Sequence, residues 1–162
     1  MESRLIAQGY PRVIGCDEVG RGPLAGPAVI GLVVWEPHQT QWPEGLRDSK
    51  AISEKKRPGI AEAIRETFTY CAIGESSPQE IDDGGIVKAL ATAVVRGLRG
   101  LAAQGVSVGS SVLLLDGSHD FVTPHLPLLL TWLLYISDAA AHLPFLTHSC
   151  RWLRKKQYTF QL

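Results

Sequence analysis

The sequence contains few cysteines, the residues that cross-link small folds and bind structural metals. Its 162 residues include three cysteines, Cys16, Cys71 and Cys150, which are far apart and form no Cys-x-x-Cys pair. An odd, scattered set supports neither a disulfide framework nor a structural zinc site. A chain of this length can bury enough apolar surface to fold without such cross-links. We therefore expect a reducing, cytoplasmic setting.

Signals for secretion and for membrane insertion are also lacking. Residues 1–10 contain neither the apolar core nor the small-residue cleavage site of a secretory leader. The most apolar stretch, residues 126–136, is about half as long as a transmembrane helix and contains Pro127. The sequence therefore predicts no association with a membrane.

Neither sign of charge is in excess. The chain has 16 Lys+Arg and 16 Asp+Glu, which argues against a protein that binds polyanions over its whole surface. The distribution is uneven, however, because residues 47–57 hold five cations and residues 101–150 hold no Lys or Arg. By default such a basic cluster would be a solvated helix face.

The apolar pattern predicts a mixed α/β domain without internal repeats or linkers. Ser53 and Pro58 indicate the start of one helix, and Ser77-Pro78-Gln79-Glu80 resembles the start of another. The predicted strands cover residues 13–16, 28–35, 67–73 and 112–115. The first two are predicted to form a hairpin, and the last is predicted to be buried on both faces. An amphipathic helix is predicted over residues 86–101.

Acidic residues stand at the carboxyl ends of two predicted strands, where sites form in α/β sheets. Asp17 and Glu18 follow the first strand, and Asp116 follows the last. Successive strand residues point to opposite faces, so Asp17 and Glu18 converge only if the strand breaks between or just after them. The segment Gly20-Arg21-Gly22-Pro23 would supply that break.

Three carboxylates without His or Cys favour Mg²⁺ or Mn²⁺ over Zn²⁺. Two such cations about 4 Å apart could activate water and stabilise the leaving oxygen in phosphodiester hydrolysis. Taken singly, an Asp-Glu pair is more often a solvated turn, and a Leu-Asp-Gly a strand-to-turn junction. Cys16, with no His partner nearby in the sequence, is interpreted as a small buried filler.

The segment GCDEVGRGPLAGPAVIGLVV, residues 15–34, resembles the first motif of the type 2 ribonucleases H, ribonuclease HII in particular. Its core is Asp-Glu-x-Gly-Arg-Gly. The resemblance covers about residues 10–127 of what we expect to be a single domain, 1–162. Three further blocks follow in the family's order: Leu46-Arg47-Asp48-Ser49-Lys50 with Ser53, Lys56 and Arg57; Ser77-Pro78-Gln79-Glu80-Ile81-Asp82 with Gly85-Ile86 and Ala89; and Leu113-Leu114-Leu115-Asp116-Gly117.

The resemblance implies an α/β fold with an RNase H-like mixed sheet flanked by helices. It implies a monomeric endonuclease that cuts the RNA strand of RNA/DNA hybrids and nicks at ribonucleotides embedded in duplex DNA, leaving 5′-phosphate and 3′-hydroxyl ends. Mn²⁺ or Mg²⁺ would be the cofactor. By position, Asp17, Glu18 and Asp116 would be metal-binding catalytic residues, Gly20, Arg21 and Gly22 would read the 2′-hydroxyl, and Lys50 would bind phosphate.

The carboxyl-terminal part departs from this pattern. The family's further strand ending in Lys-x-Asp, its Ala/Ser-rich helix and its Gly-Tyr segment are not recognisable in residues 128–162. Asp138 is the candidate for a fourth metal ligand, and Tyr158 has no matching context. The departure invites the hypothesis of an altered or truncated reading frame after about residue 127.

Two alternatives stay open. The chain could bind hybrid without cleaving it, through Arg21, Lys50, Lys55, Lys56 and Arg57, with a salt-sensitive affinity. It could also be a junction-resolving nuclease with the same sheet and acidic cluster. The Gly-Arg-Gly segment argues against the junction nuclease.

Overall fold

A computed structural model describes residues 2–19, 26–47, 51–116, 121–122 and 132–136, with the backbone alone described at 19, 116 and 132–136. Within these ranges, no helix is long and apolar enough to cross a membrane. The elements in chain order are α1 (Glu2–Ala7), β1 (Val13–Val19), β2 (Ala28–Trp35), a 3₁₀ turn (Glu54–Lys56), α2 (Arg57–Thr67), β3 (Cys71–Ser76), α3 (Pro78–Ala103), a second 3₁₀ turn (Val108–Ser110), β4 (Val112–Asp116) and β5 (Trp132–Ile136).

The strands form one five-stranded sheet in the order β3-β2-β1-β4-β5. β2 is antiparallel to both β1 and β3, whereas β4 is parallel to both β1 and β5. The predicted mixed sheet is confirmed. Because β1, β3, β4 and β5 run in one direction, all four end at the same edge, which we call the carboxyl edge.

Strand alternation sends neighbouring residues to opposite sides of the sheet. Ile14 and Cys16 of β1 pack in a cluster with α3, the α3-side cluster, whereas Val13 packs in a cluster with α2, the α2-side cluster. β4 alternates in the same way, and its residues 112–115 are at most 2% exposed. β4 is therefore covered on both faces, as its unbroken apolar run predicts.

α3 begins where the sequence indicates a helix start. The Ser77 hydroxyl accepts a hydrogen bond from the Glu80 amide at 3.2 Å, and the Glu80 carboxylate accepts one from the Ser77 amide at 2.9 Å. This capping box satisfies amides that the first helical turn leaves unpaired. At Gly85 the helix is interrupted by a φ of 79° and a ψ of 158°, a conformation that favours glycine.

Three expectations about the elements need correction. The third strand begins at Cys71, not at Thr67, because α2 continues to Thr67 and Phe68 then packs beside Trp35 with ring centroids 6.1 Å apart. A strand was not expected beyond residue 127, yet β5 pairs with β4. The short helix α1 was not predicted, and its Leu5 is buried in the α2-side cluster.

Candidate active site

The two acids of β1 lie on the strand itself, at the carboxyl edge. Asp17 pairs with Gly31 of β2, and β1 ends one residue beyond Glu18. The strand therefore does not break between the acids, and the residues that would break it just after them begin at Gly20, outside the described residues. By the alternation, Asp17 lies on the α2 side and Glu18 on the α3 side.

The two β1 carboxylates differ in burial. Asp17 is only 2% exposed, whereas Glu18 is half-buried. The β2 residue opposite Asp17 is Gly31, which has no side chain to fill the space beside the carboxylate. A buried carboxylate at the end of a strand is costly unless it has a hydrogen-bonding or cationic partner.

The register of the parallel pair brings the third acid to the same point. Cys16 of β1 pairs with Leu115 of β4, so the next step along both strands places residue 116 beside residue 17. The register therefore brings the backbones of these two positions together, although they are almost a hundred residues apart in the chain.

Cys16 contributes apolar packing and not a metal ligand. It is 1% exposed within the α3-side cluster. Burial raises the pKa of the Cys16 thiol well above its ordinary value, and the charges of Asp17 and Glu18 raise it further. Because the Cys16 side chain packs among the apolar residues of the α3-side cluster, the predicted donor set remains one of carboxylate oxygens. The interpretation of Cys16 as a filler is confirmed.

The described cations of the basic cluster differ in exposure and in their contacts within the protein. Lys55 and Lys56 are exposed on the 3₁₀ turn. Arg57 is 18% exposed, donates from Nε to the Ile52 carbonyl oxygen at 3.1 Å and lies 3.7 Å from the Glu54 carboxylate. The cluster is therefore not uniformly solvated, because Arg57 is mostly buried and bonded within the protein whereas Lys55 and Lys56 are exposed.

Several predicted site residues lie outside the described residues: Gly20, Arg21, Gly22, Lys50 and Asp138. Among the side chains that the structure does describe, no group of three or more His, Cys, Asp or Glu is placed to hold a metal ion. The Asp116 side chain is not among them, so the described part of the predicted metal site consists of Asp17 and Glu18.

One organising residue near the carboxyl edge was missed by sequence reasoning. Arg96 donates to both oxygens of Glu80, at 2.7 and 2.8 Å, and to the Glu75 carbonyl oxygen at 2.7 Å. It thereby ties the end of β3 to the first turn of α3. No local spacing signals a pair 16 residues apart, so only the folded chain shows it.

Comparison with solved structures finds the same fold in several ribonucleases H. Bst-RNase HIII in complex with Mn²⁺ matches with a TM-score of 0.69 and 21% identity, over 95% of this chain and 55% of that one. The ribonuclease H2 from Pyrococcus horikoshii matches with a TM-score of 0.64 and 22% identity, over 88% and 69%. At such identities the likeness shows the fold, which is the predicted RNase H-like mixed sheet flanked by helices.

Sequence comparison narrows the class to one family. The model of the family described as Ribonuclease HII matches residues 14–116. Ribonuclease HII from Vibrio campbellii is 41% identical over 121 residues, and that from Streptomyces griseus is 41% identical over 114. The matches cover 75% and 70% of this chain but 52% and 45% of the relatives. The chain belongs to the ribonuclease HII family and spans about half the length of these curated relatives.

Proposed function

We propose that the protein is an endoribonuclease of the RNase HII type, which hydrolyses the RNA strand of RNA/DNA hybrids and nicks at ribonucleotides embedded in duplex DNA. The observation that carries the proposal is the buried Asp17 at the carboxyl edge, with Asp116 at the adjacent register position of β4. Membership of the ribonuclease HII family supports the choice of substrate. The products would be 5′-phosphate and 3′-hydroxyl ends, and the protein would act as a cytoplasmic monomer.

The donor set fits a hard divalent cation. Asp17 and Asp116 would offer carboxylate oxygens from adjacent strands, and Glu18 would join them where β1 ends one residue further on. The adjacent Cys16 is withdrawn into the core. Such oxygens suit Mg²⁺ or Mn²⁺, and the comparison with a Mn²⁺ complex of Bst-RNase HIII points the same way. When bound, the cation would supply the Lewis acidity that activates water and stabilises the leaving oxygen. Asp138, which follows β5, would be the fourth ligand.

The protein's own residues would bind and orient the substrate. We assign Gly20, Arg21 and Gly22, which directly follow β1, to the ribose 2′-hydroxyl, because that group distinguishes RNA from DNA. Lys50 would hold a backbone phosphate as a point charge. The pairing of β1 with β4 would fix the positions of Asp17 and Asp116 relative to each other. Such fixed positions suit a reaction in which the reacting groups must be held in one orientation.

The test is a nicking assay on a DNA duplex that contains one ribonucleotide, run with and without added Mn²⁺ or Mg²⁺. We expect nicking that requires the cation, and we expect Asp17→Asn to lower the rate by about 10²-fold or more, because the amide would hold the divalent cation more weakly than the carboxylate does. Glu36→Gln is the matched control, since Glu36 is a buried acid that pairs with Arg12 near the opposite end of β1.

The outcomes separate the proposals. Equal nicking by wild type and Asp17→Asn would show that the site is wrongly assigned. Salt-sensitive binding of the hybrid without any nicking would favour a protein that only binds. Equal cleavage of an all-DNA junction would favour the junction nuclease.

A further inference from the structure

The basic cluster contains a short, anchored turn whose two lysines face solvent. Lys55 and Lys56 are both exposed, and neither forms an ion pair among the described residues. The turn holds one acid, Glu54, whose side chain is 90% exposed and lies 3.7 Å from the Arg57 guanidinium. Arg57 therefore offsets the negative charge beside the lysines, which would otherwise oppose the approach of a phosphate.

The turn is held at both ends. Ile52, which is 6% exposed, anchors its beginning in the α2-side cluster, and Ala61 and Ile64 of α2 anchor the helix that follows it in the same cluster. Between them, the Lys56 amide donates to the Ser53 carbonyl oxygen at 3.0 Å. A fixed turn presents its cations with little further loss of backbone entropy on binding.

Arg57 stabilises this turn through a hydrogen bond to its first residues. Its Nε donates to the Ile52 carbonyl oxygen at 3.1 Å, and 18% of its side chain is exposed. A guanidinium that also bound a phosphate in full would have to give up or share these contacts. Arg57 thus differs from Lys55 and Lys56 in what it can offer to a ligand, although all three are adjacent in sequence.

We propose that Lys55 and Lys56 bind backbone phosphates of a nucleic-acid duplex and that Arg57 is a positioning residue, which holds the turn and shields Glu54 without contacting the nucleic acid. The inference rests on the proposed function only in taking the ligand to be a duplex. Phosphate contacts carry no sequence information, so they should act on an RNA/DNA hybrid and on an all-DNA duplex alike.

The experiment compares three substitutions that each remove one charge: Lys55→Gln, Lys56→Gln and Arg57→Gln. Affinities for a hybrid and for a DNA duplex of equal length are measured at several salt concentrations without divalent cations, and Tm is measured for each variant. Arg99→Gln is the matched control, because Arg99 is an exposed cation on α3, on the other side of the sheet.

Each lysine variant should reduce the slope of log affinity against log salt by about 0.9, the value for one lost phosphate contact, with Tm unchanged. Arg57→Gln should bind about three- to tenfold more weakly and lower Tm, because one hydrogen bond that orders the turn is lost. Its slope should fall by less than that of either lysine variant, because it loses the offset to the Glu54 charge and not a phosphate contact. Arg99→Gln should match wild type in both measurements.

Four results would overturn the assignment. A reduced slope at unchanged Tm in Arg57→Gln would make Arg57 a direct phosphate ligand. A lower Tm with unchanged affinity would give it a merely structural role. Wild-type slopes in both lysine variants, or no duplex binding by the wild type, would remove the phosphate surface altogether. Binding with the expected slopes but without any nicking would contradict the proposed nuclease and leave this inference standing.

Discussion

Glu80 serves two elements at once through a single carboxylate. It caps the first turn of α3 by accepting a hydrogen bond from the Ser77 amide, and it also accepts hydrogen bonds from both terminal guanidinium nitrogens of Arg96. The hydrogen bonds from Arg96 and then from Ser77 lower the pKa of Glu80 from its ordinary value of 4.5 to about 2. The third block that resembles the ribonuclease HII family therefore has a clear structural role at this position.

The lowered pKa predicts how stability changes with pH. A carboxylate whose pKa is lower in the folded protein stabilises it fully above the unfolded pKa, and this contribution is lost as the pH falls from about 4.5 towards 2. Glu80→Gln should therefore have a lower Tm than wild type at pH 7, by a small amount because the pair is partly exposed. The difference should vanish near pH 2.

Thermal unfolding of both proteins between pH 2 and pH 7 checks this. Gln79→Ala is a suitable control, since the Gln79 side chain donates to the exposed Asp83 on the same helical face and, among the described residues, to no other side chain. A difference in Tm between wild type and Glu80→Gln that stays constant over the whole range would contradict the role given to the ionised carboxylate.

Single residues show what sequence alone could establish about the site. Asp17, Glu18 and Asp116 could be selected because strand ends are recognisable from an apolar run followed by an acid. The different environments of Lys56 and Arg57 could not, because they depend on where the Ile52 carbonyl oxygen lies. A pattern of residue types contains no information on such a contact.

At the scale of elements, α3 and β3 approach each other closely through glycine. A Cβ on Gly74 would lie 2.6 Å from the Gly97 amide nitrogen and closer still to the Ala93 carbonyl oxygen. A Cβ on Gly97 would in turn lie 2.5 Å from a methyl group of Leu32. The backbone of the helix therefore contacts the strand almost directly, and neither side can accept a larger residue without moving.

Gly74→Ala should accordingly destabilise the protein by about 1–3 kcal/mol, because the helix must shift to accept the methyl group. Gly59→Ala is the matched control on α2, where no heavy atom lies within 4 Å of the added Cβ. That substitution should be neutral or stabilising by up to about 1 kcal/mol. Urea unfolding measures both, and equal stabilities for the two variants would refute the close contact.

Element types were more predictable than element boundaries. The capping box at Ser77 and the apolar face of residues 86–101 are local signals, and α3 confirms both. The α2–β3 boundary depends on Phe68, which packs with Trp35 and Trp42 from another part of the chain. β5 was missed because its pairing with β4 is a long-range contact, which residue types alone do not reveal.

At the scale of the whole molecule, one sheet separates two apolar clusters. β1, β2 and β4 each contribute alternate residues to the α3-side cluster and to the α2-side cluster. Neither cluster can lose its strands while the other keeps them. The two sides should therefore unfold in one cooperative step.

Leu90→Ala on α3 and Ile64→Ala on α2 test this coupling, since both side chains are fully buried. Each should destabilise the protein by about 2–5 kcal/mol, with a single transition and an unchanged dependence of stability on urea concentration. Far-ultraviolet circular dichroism during urea unfolding is the measurement. A second transition in either variant would show that the two sides are independent.

The order of the strands has a consequence for when the candidate site assembles during folding. β1, β2 and β3 are neighbours joined by antiparallel pairing, so they can associate early, whereas β4 reaches β1 only after a loop of roughly a hundred residues has closed. The pairing that brings Asp17 and Asp116 together is thus a late event. A chain emerging from the ribosome would carry Asp17 and Glu18 well before β4 could place Asp116 beside β1.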